Sequence, residues 1–410
     1  MAFIADFHIH SMYSRATSKD MDIEHLNKAA KLKGIDLVGT GDFTHPVWLN
    51  DLKRTLIPQE DGLYKYKDTL FVLTTEVSNV FFKKGRVKKV HNLIFAPNFY
   101  VAEKISNKLS KFGDLQSDGR PTLKMEASDL VEEVLGVSDE AFVVPAHIWT
   151  PWFSLFGANS GFDSIEDCFG KYTKYVYALE TGLSSDPEMN WRVSSLDRFT
   201  LISNSDAHSP SKLGREANVF SQKLGYKEIK EVLKMKDSKR FLYTIEFFPQ
   251  EGKYHYDGHR RCQICLSPEE SRKYNNFCPK CGEKLTIGVM HRIEILGDRK
   301  RGYVPSGAIP FKHLVPLSEI IAEVLNQGVD TKGVEEKYER IVHQAGGELK
   351  ALLETSREEL SLMASPEIVE GIMRVREGRV RIKCGYDGVY GKISIFDKGE
   401  RKEQRQLNLF

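Results

Sequence analysis

Ten side chains able to hold a metal ion or move a proton recur at similar places along the first half of the sequence. Asp6, His8 and His10 lie in DFHIHS, Asp42 and His45 in TGDFTH, Glu76 in LTTEVS, His91 in KVHNLIF, His147 in VVPAHIW, and Asp206 with His208 in ISNSDAHS. Nearly every one stands at the downstream end of a short apolar run with strand character. Residues that end successive strands of a parallel barrel converge on one face. Such convergence gathers imidazoles and carboxylates in one cleft, which is what a group of divalent metals requires. His-x-His on a strand points both rings the same way, so His8 and His10 can grip one ion together. Glu76 and Asp206 are acids where a bare charge is costly unless something positive is near. A carboxylate that bridges two ions accounts for such a position. Singly, each of these residues reads as a core histidine, a loop acid or a surface charge; as a set they point to a metal site. Its chemistry would be phosphoryl displacement, because a bound metal makes hydroxide available near neutral pH and a pair of ions stabilises attacking and leaving oxygens. Asp206, His208 and His147 are the candidates closest to catalysis. The expected cofactors are two or three divalent ions drawn from zinc, manganese, iron or magnesium.

A second constellation is Cys262-x2-Cys265 and Cys278-x2-Cys281, separated by twelve residues. Each pair can bite one metal, and the loop between them closes a tetrahedral site. Four thiolates leave no open position, so the expectation is one structural zinc, not a reaction centre. Cys168 and Cys384 stand alone.

The elements that must carry these groups read as strand then helix through the first half. Strands are predicted at Phe3 to His10, Ile35 to Thr40, Leu70 to Thr75, Val90 to Ala96, Ala141 to Pro145, Tyr175 to Leu179 and Thr200 to Ser203. Asp22 is the expected cap of a helix that stops near Gly34. This alternation implies a parallel sheet closed or nearly closed into a barrel. The character changes after about Gly225. A strand at Phe241 to Phe247 leads into the polar, cysteine-bearing stretch. From Leu317 the pattern is helical, with a further helix beginning at Ser365-Pro366-Glu367 and a terminal hairpin around Tyr386-Asp387-Gly388.

The chain has 410 residues, 41% of them hydrophobic and 28% charged, with a formal net charge of +2. Near-neutral charge leaves a nucleic-acid partner open, since local patches matter more than the sum. No apolar stretch approaches the roughly 20 residues that span a bilayer, and the N-terminus lacks a basic, cleavable leader, so the expected compartment is the cytoplasm, with no membrane partner. Local patches do favour nucleic acid. The zinc stretch carries Arg260 and Arg261 among Tyr254, Tyr256 and Tyr274, and the next loop offers Arg299, Lys300, Arg301 and Tyr303. Cations neutralise phosphates and rings stack on unpaired bases. Behind His147, Trp149, Trp152 and Phe153 form either a hydrophobic cap or a pocket for a base turned out of the helix, with Asn159 and Ser160 placed to read its edge.

The metal motifs resemble those of the polymerase and histidinol phosphatase (PHP) superfamily. The resemblance implies a distorted (β/α)7 barrel and a two- or three-metal phosphoesterase site. It implies His8, His10, Asp42, His45, Glu76, His91, His147, Asp206 and His208 as ligands. Many members carry another histidine after the first motif where this chain has Arg15, and Asp-His where it has Asp42-Phe43. With VVPAHIWTPWFSLFG, ETGLSSDP, SNSDAHSP and the cysteine pattern, nearly the whole sequence resembles the endonuclease Q family. That resemblance implies nicking of DNA on the 5′ side of uracil, hypoxanthine, xanthine or abasic sites, with a substrate role near Glu180 and Asp186.

The expected organisation is an α/β PHP barrel over 1–240, a zinc-binding module over 241–290, a mainly helical DNA-binding region over 291–396, and a tail over 397–410. The tail ends in Gln406, Leu407, Asn408, Leu409 and Phe410. This resembles the pentapeptide that docks on sliding clamps, with Leu407, Leu409 and Phe410 filling an apolar groove and Gln406 anchoring them. The rival functions are a small-molecule phosphoesterase that has no need of the zinc module, and a silent scaffold binding DNA and the clamp, indifferent to Asp206→Ala.

Overall fold

The computed structural model describes residues 2–397. The clamp-like residues Gln406, Leu407, Leu409 and Phe410 lie outside the described residues. The first unit is a mixed α/β barrel. Strand β1 (Phe3–Asp6) pairs in parallel with β2 (Leu37–Gly39), which pairs in parallel with β3 (Thr69–Lys83). Helix α1 (Ile23–Lys33) makes the first crossover. Asp22 caps it by accepting the His25 N–H, and Gly34 ends it in the left-handed conformation. Helix α2 (Pro46–Thr55) follows β2, capped by the ring of His45 with Pro46 in its first turn.

The all-parallel expectation then fails at two places. Strands β3 and β4 (Arg86–Ala96) form one long antiparallel hairpin, and β4 pairs antiparallel with β5 (Phe142–Pro145). The tight Lys84-Gly85 turn explains this, because so short a link can only reverse the chain. Strands β6 (Ala178–Glu180) and β7 (Thr200–Ile202) pair in parallel with each other. On the far side, β8 (Ala217–Phe220) runs antiparallel to β1 and to β9 (Phe241–Glu246). Polar side chains bridge β7 to β8. Asn218 accepts the Ser203 N–H at 3.1 Å and donates to the Ser203 carbonyl at 2.8 Å. The barrel is therefore distorted where side chains stand in for a ladder. Its floor is aromatic: Phe7, Phe95, Phe142 and Phe220 are buried together, with Phe95 stacked on Phe142 at 4.4 Å.

After β9 the chain builds a small hairpin, Asp257–His259 with Ile264–Leu266, and a short helix, Pro268–Lys273. Helix α3 (Val289–Leu296) returns toward the barrel, where Arg292 donates to the Phe156 and Phe162 carbonyls. The helical region follows, chiefly α4 (Leu317–Leu325), α5 (Lys332–Ala345) and α6 (Pro366–Arg376). It is anchored on α1 by Lys33 and Glu348 at 2.5 Å, both nearly buried. Gly347, at φ 140°, presses against Gly34; a Cβ there would meet the Gly34 Cα at 3.0 Å. The terminal hairpin forms as expected, Arg381–Lys383 with Lys392–Ser394. Its turn packs back on the cysteine-bearing module, where Asp387 accepts from the Arg260 N–H and from Thr286.

Candidate metal centre

The barrel mouth brings together seven of the expected residues. His8, His10, Glu76 and Asp206 form one group whose ligand atoms lie within 4.8 Å of one another, and Glu76, His91 and His147 form a second. Glu76 belongs to both. Its Oε1 is 2.7 Å from His91 Nδ1 and 2.9 Å from His147 Nε2. Its Oε2 is 3.3 Å from His10 Nε2 and 3.5 Å from His8 Nε2. Asp206 Oδ1 completes the first group at 3.0 Å from His10 Nε2. Glu76 sits mid-strand in β3, not at a strand end, because the hairpin carries β3 onward past the mouth. His208 lies at the rim, its ring 4.4 Å from that of His10 and its Nδ1 3.6 Å from Asp206 Oδ1.

The donor set fits divalent metals. Both groups mix imidazole with carboxylate, as hydrolytic metal sites do. His8 Nε2 is buried and, among the described residues, has no hydrogen-bond partner, an orphan that a cation would satisfy. Burial opposes charge on Glu76, yet Arg120, His8 and the His10 hydrogen bond hold its carboxyl well below the usual range. Burial likewise opposes charge on Asp206, and the His10 hydrogen bond holds it ionised. His91 is pushed down to about 4 by burial, which keeps its ring neutral and free to ligate.

A second set of side chains aims the first. His8 Nδ1 meets Glu180 at 2.9 Å, which turns Nε2 toward the first group. Asp42 does the same for His10 at 3.1 Å. Here the structure departs from the expected ligands. Asp42 is in neither group, since it accepts from the Ser11 N–H, Ser11 Oγ, Ser14 Oγ and His10, and those donors consume its oxygens. His45 is also in neither: its Nδ1 caps α2 and its Nε2 meets the Gln116 carbonyl. Asp6 lies beneath, accepting the Ser205 and Gly214 N–H groups, and so fixes the loop that carries Asp206. Asp42, His147 and Asp206 have φ of 49°, 30° and 47°, a left-handed backbone costing about 1–3 kcal/mol each. Packing holds it: a Cβ on Gly182 would come within 2.4 Å of the His147 Cβ.

Sequence reasoning missed Arg120. It donates to Glu76 Oε2 at 3.2 Å, and its side chain keeps 27% exposure to the mouth. Nothing in the loop GDLQSDGR marks it; only the fold brings it 44 positions back to Glu76. Glu180 does carry a signal, an acid closing an apolar run in YALETG.

The cysteine site differs from four thiolates. Cys262, Cys278 and Cys281 gather with His259, not with Cys265. The hairpin register sets Cys265 opposite Gly258, facing the Cys384 carbonyl 3.9 Å away. His259 Nδ1 is 3.3 Å from Cys281 Sγ while its Nε2 meets Glu283 at 3.1 Å, the pairing that orients a ligating imidazole. Burial raises the Cys278 thiol, but the Lys280 and Cys281 N–H groups and His259 bring it down to about 6. The signal was the GHRRC run, with a histidine three residues before Cys262.

The other expected contacts divide. Trp149 is buried and donates to Asn190 Oδ1, and Ser160 ties Phe153 to the Lys89 backbone, so both serve the scaffold. Phe153 packs 4.9 Å from the His91 ring; Trp152 is 41% exposed against Tyr254, and Asn159 is exposed. Arg299 is bound to Asp197 through two nitrogens, and so pins its loop to the barrel. Arg260, Arg261, Lys300 and Arg301 are exposed.

Against known proteins, the whole chain superposes on the crystal structure of the lesion-specific endonuclease PfuEndoQ from Pyrococcus furiosus. The TM-score is 0.87, with 32% identity over 100% of this chain and 99% of the other. The chain belongs to the endonuclease Q family. An endonuclease Q solved with a 27-mer duplex bearing an abasic lesion at the active site matches with TM-score 0.85 and 32% identity, over 97% of this chain and 98% of that one. The family model for the MJ0043 C-terminal domain matches residues 316–379, the helical region of this endonuclease Q family member. The uncharacterized protein MJ0043 of Methanocaldococcus jannaschii is 35% identical over 255 residues, 60% of this chain. The chain spans 31% of that protein's length. Among the described residues, no helix is long and apolar enough to cross a membrane.

Proposed function

We propose that this protein is a metal-dependent DNA repair endonuclease that hydrolyses the phosphodiester 5′ to a damaged base. Its substrates on this reading are deaminated bases (uracil, hypoxanthine, xanthine) and abasic sites, and its products are 3′-hydroxyl and 5′-phosphate ends. The observation that carries the reading is Glu76, with one oxygen beside His8 and His10, in the group that Asp206 completes, and the other beside His91 and His147. Family membership supports DNA as the substrate, since a relative of near-equal length holds a duplex with an abasic lesion at its active site.

His8, His10, Asp206, Glu76, His91 and His147 would hold two divalent ions. When bound, such ions supply a nucleophile near neutral pH and counter the phosphate charge. The protein's own groups do the rest. Glu180 and Asp42 fix the ring orientations of His8 and His10, Asp6 fixes the Asp206 loop, and Arg120 adds a fixed positive charge beside the reacting phosphate. His208 stands at the rim, where it can exchange protons with solvent. Phe153, beside His91, and the exposed Trp152, against Tyr254, are the surfaces on which an extruded base can stack. The cysteine module would hold one structural zinc, and Arg260, Arg261, Lys300 and Arg301 would meet the DNA backbone. The tail Gln406 to Phe410 would dock on a sliding clamp; its deletion should abolish clamp binding and spare nicking of a short oligonucleotide.

The test is incubation with a duplex holding one deoxyuridine, deoxyinosine or abasic site, with manganese or magnesium, followed by mapping of the break. A single cut 5′ to the lesion is expected. No cut, or a cut indifferent to the lesion, would overturn the reading.

A further inference from the structure

The β3–β4 hairpin reaches well past the metal centre. Glu76 and Ser78 on β3 are followed by Val80 and Phe82 at alternate positions, and these face His91, Lys89 and Val87 across the ladder in the pairs Ser78 with His91, Val80 with Lys89 and Phe82 with Val87. Alternation keeps this set on one face. The face that presents Glu76 and His91 to the mouth therefore ends in Phe82 and Val87, six positions beyond Glu76 and roughly 20 Å away at about 3.3 Å per residue. Phe82 is 70% exposed and Val87 51% exposed, side by side. Lone exposed apolar residues need no explanation. These two differ in their setting. The eight residues from Phe82 to Lys89 include five cations and no acid. The hairpin is also pinned where it stands. Lys83 pairs with Glu126 and Lys84 with Asp167, while Lys88 and Lys89 lie over the rings of Phe162 and Phe153. These contacts hold the hairpin with its tip exposed. Arg86, beside the tip, is exposed, and no acid pairs with it among the described residues.

We infer that this hairpin tip is a second DNA contact, with Phe82 and Val87 entering a groove of the duplex and Arg86 on the adjacent phosphates. An apolar wedge flanked by cations suits a duplex being bent or unstacked, and the charge of the strip complements the phosphates. A reach of roughly 20 Å corresponds to about six base pairs at ~3.4 Å each, so the contact needs duplex on one flank of the lesion. The inference rests on the endonuclease reading for where the lesion sits.

The test compares the full-length protein with F82A/R86A on a series of lesion duplexes trimmed from either side. For the wild type, KM should rise once one flank falls below about six base pairs. The variant should show a KM raised ~10-fold on long duplexes, with kcat unchanged, no dependence on flank length, and equal cutting of the shortest substrate. A variant KM within about twofold of wild type on long duplexes, or flank dependence retained, would overturn the inference. Fluorescence anisotropy with undamaged duplex reads the same contact without cleavage, so a protein that cuts nothing would sink the endonuclease reading while the hairpin is still judged by weaker binding of the variant. Self-association of the wild type that the variant loses, with DNA binding unchanged, would assign the tip to a second copy and overturn it too.

Discussion

Glu180 links the two halves of the metal centre through His147: its Oε1 accepts the His147 backbone N–H at 3.1 Å while the same carboxylate meets His8 Nδ1. One side chain thus sets the ring orientation of a histidine in the first group and the strained backbone of a histidine in the second. Outer carboxylates of this kind typically govern metal affinity by about 10–100-fold. Glu180→Ala should lower metal occupancy and cleavage by that order, with Glu180→Gln intermediate. Metal content by mass spectrometry, read beside cleavage rate, checks this; full occupancy in Glu180→Ala would count against the role.

Arg120 is expected to act on the phosphate and not on metal retention. Arg120→Ala should lower kcat/KM by roughly 10²-fold while leaving metal content near wild type, and Arg120→Lys should restore part of the loss. If Arg120→Ala instead sheds its metals, the residue serves only to position Glu76.

The cysteine module offers a discriminating pair of substitutions. Cys265→Ser should keep its zinc, because Cys384 and not the site faces that thiol. His259→Ala should lose it and lower the melting temperature. Zinc retained in His259→Ala and lost in Cys265→Ser would restore the four-thiolate arrangement.

Stability should carry one pH signature away from the metals. Burial, with Glu319 nearby, pushes the Glu251 carboxyl up to about 7 from its ordinary 4.5, while it accepts the Ile393 N–H. The folded chain therefore binds this proton more tightly than the unfolded chain. The stability so gained is whole below about pH 4.5 and is lost as pH climbs through about 7. Glu251→Gln keeps the acceptor without the charge. It should melt a few °C above wild type at pH 8 and level with it at pH 4.5. A gap of equal size at both pH values would refute the assignment.

Much of the centre was legible because its residues occupy periodic places: His8 and His10 alternate along the chain, and His147 and Asp206 follow apolar runs. Asp42 misled because a buried acid near a strand end reads the same whether it touches a metal or the histidine that does. Its four donors, all short-range in space, cannot be seen in the spacing. Arg120 was invisible, since a loop has no period. The antiparallel course of β3 and β4 was written in Lys84-Gly85, yet both strands run longer than expected: FFKKGRVKK is too polar for a strand buried in the core. It is a strand for the opposite reason: it leaves the core.

The shared carboxylate is best tested by anomalous scattering from crystals grown with manganese. Two peaks are predicted, one among His8, His10 and Asp206 and one beside His91 and His147, each within bonding distance of a different oxygen of Glu76. Peaks elsewhere, or none at Glu76 under conditions where lesion DNA is cut, would contradict it.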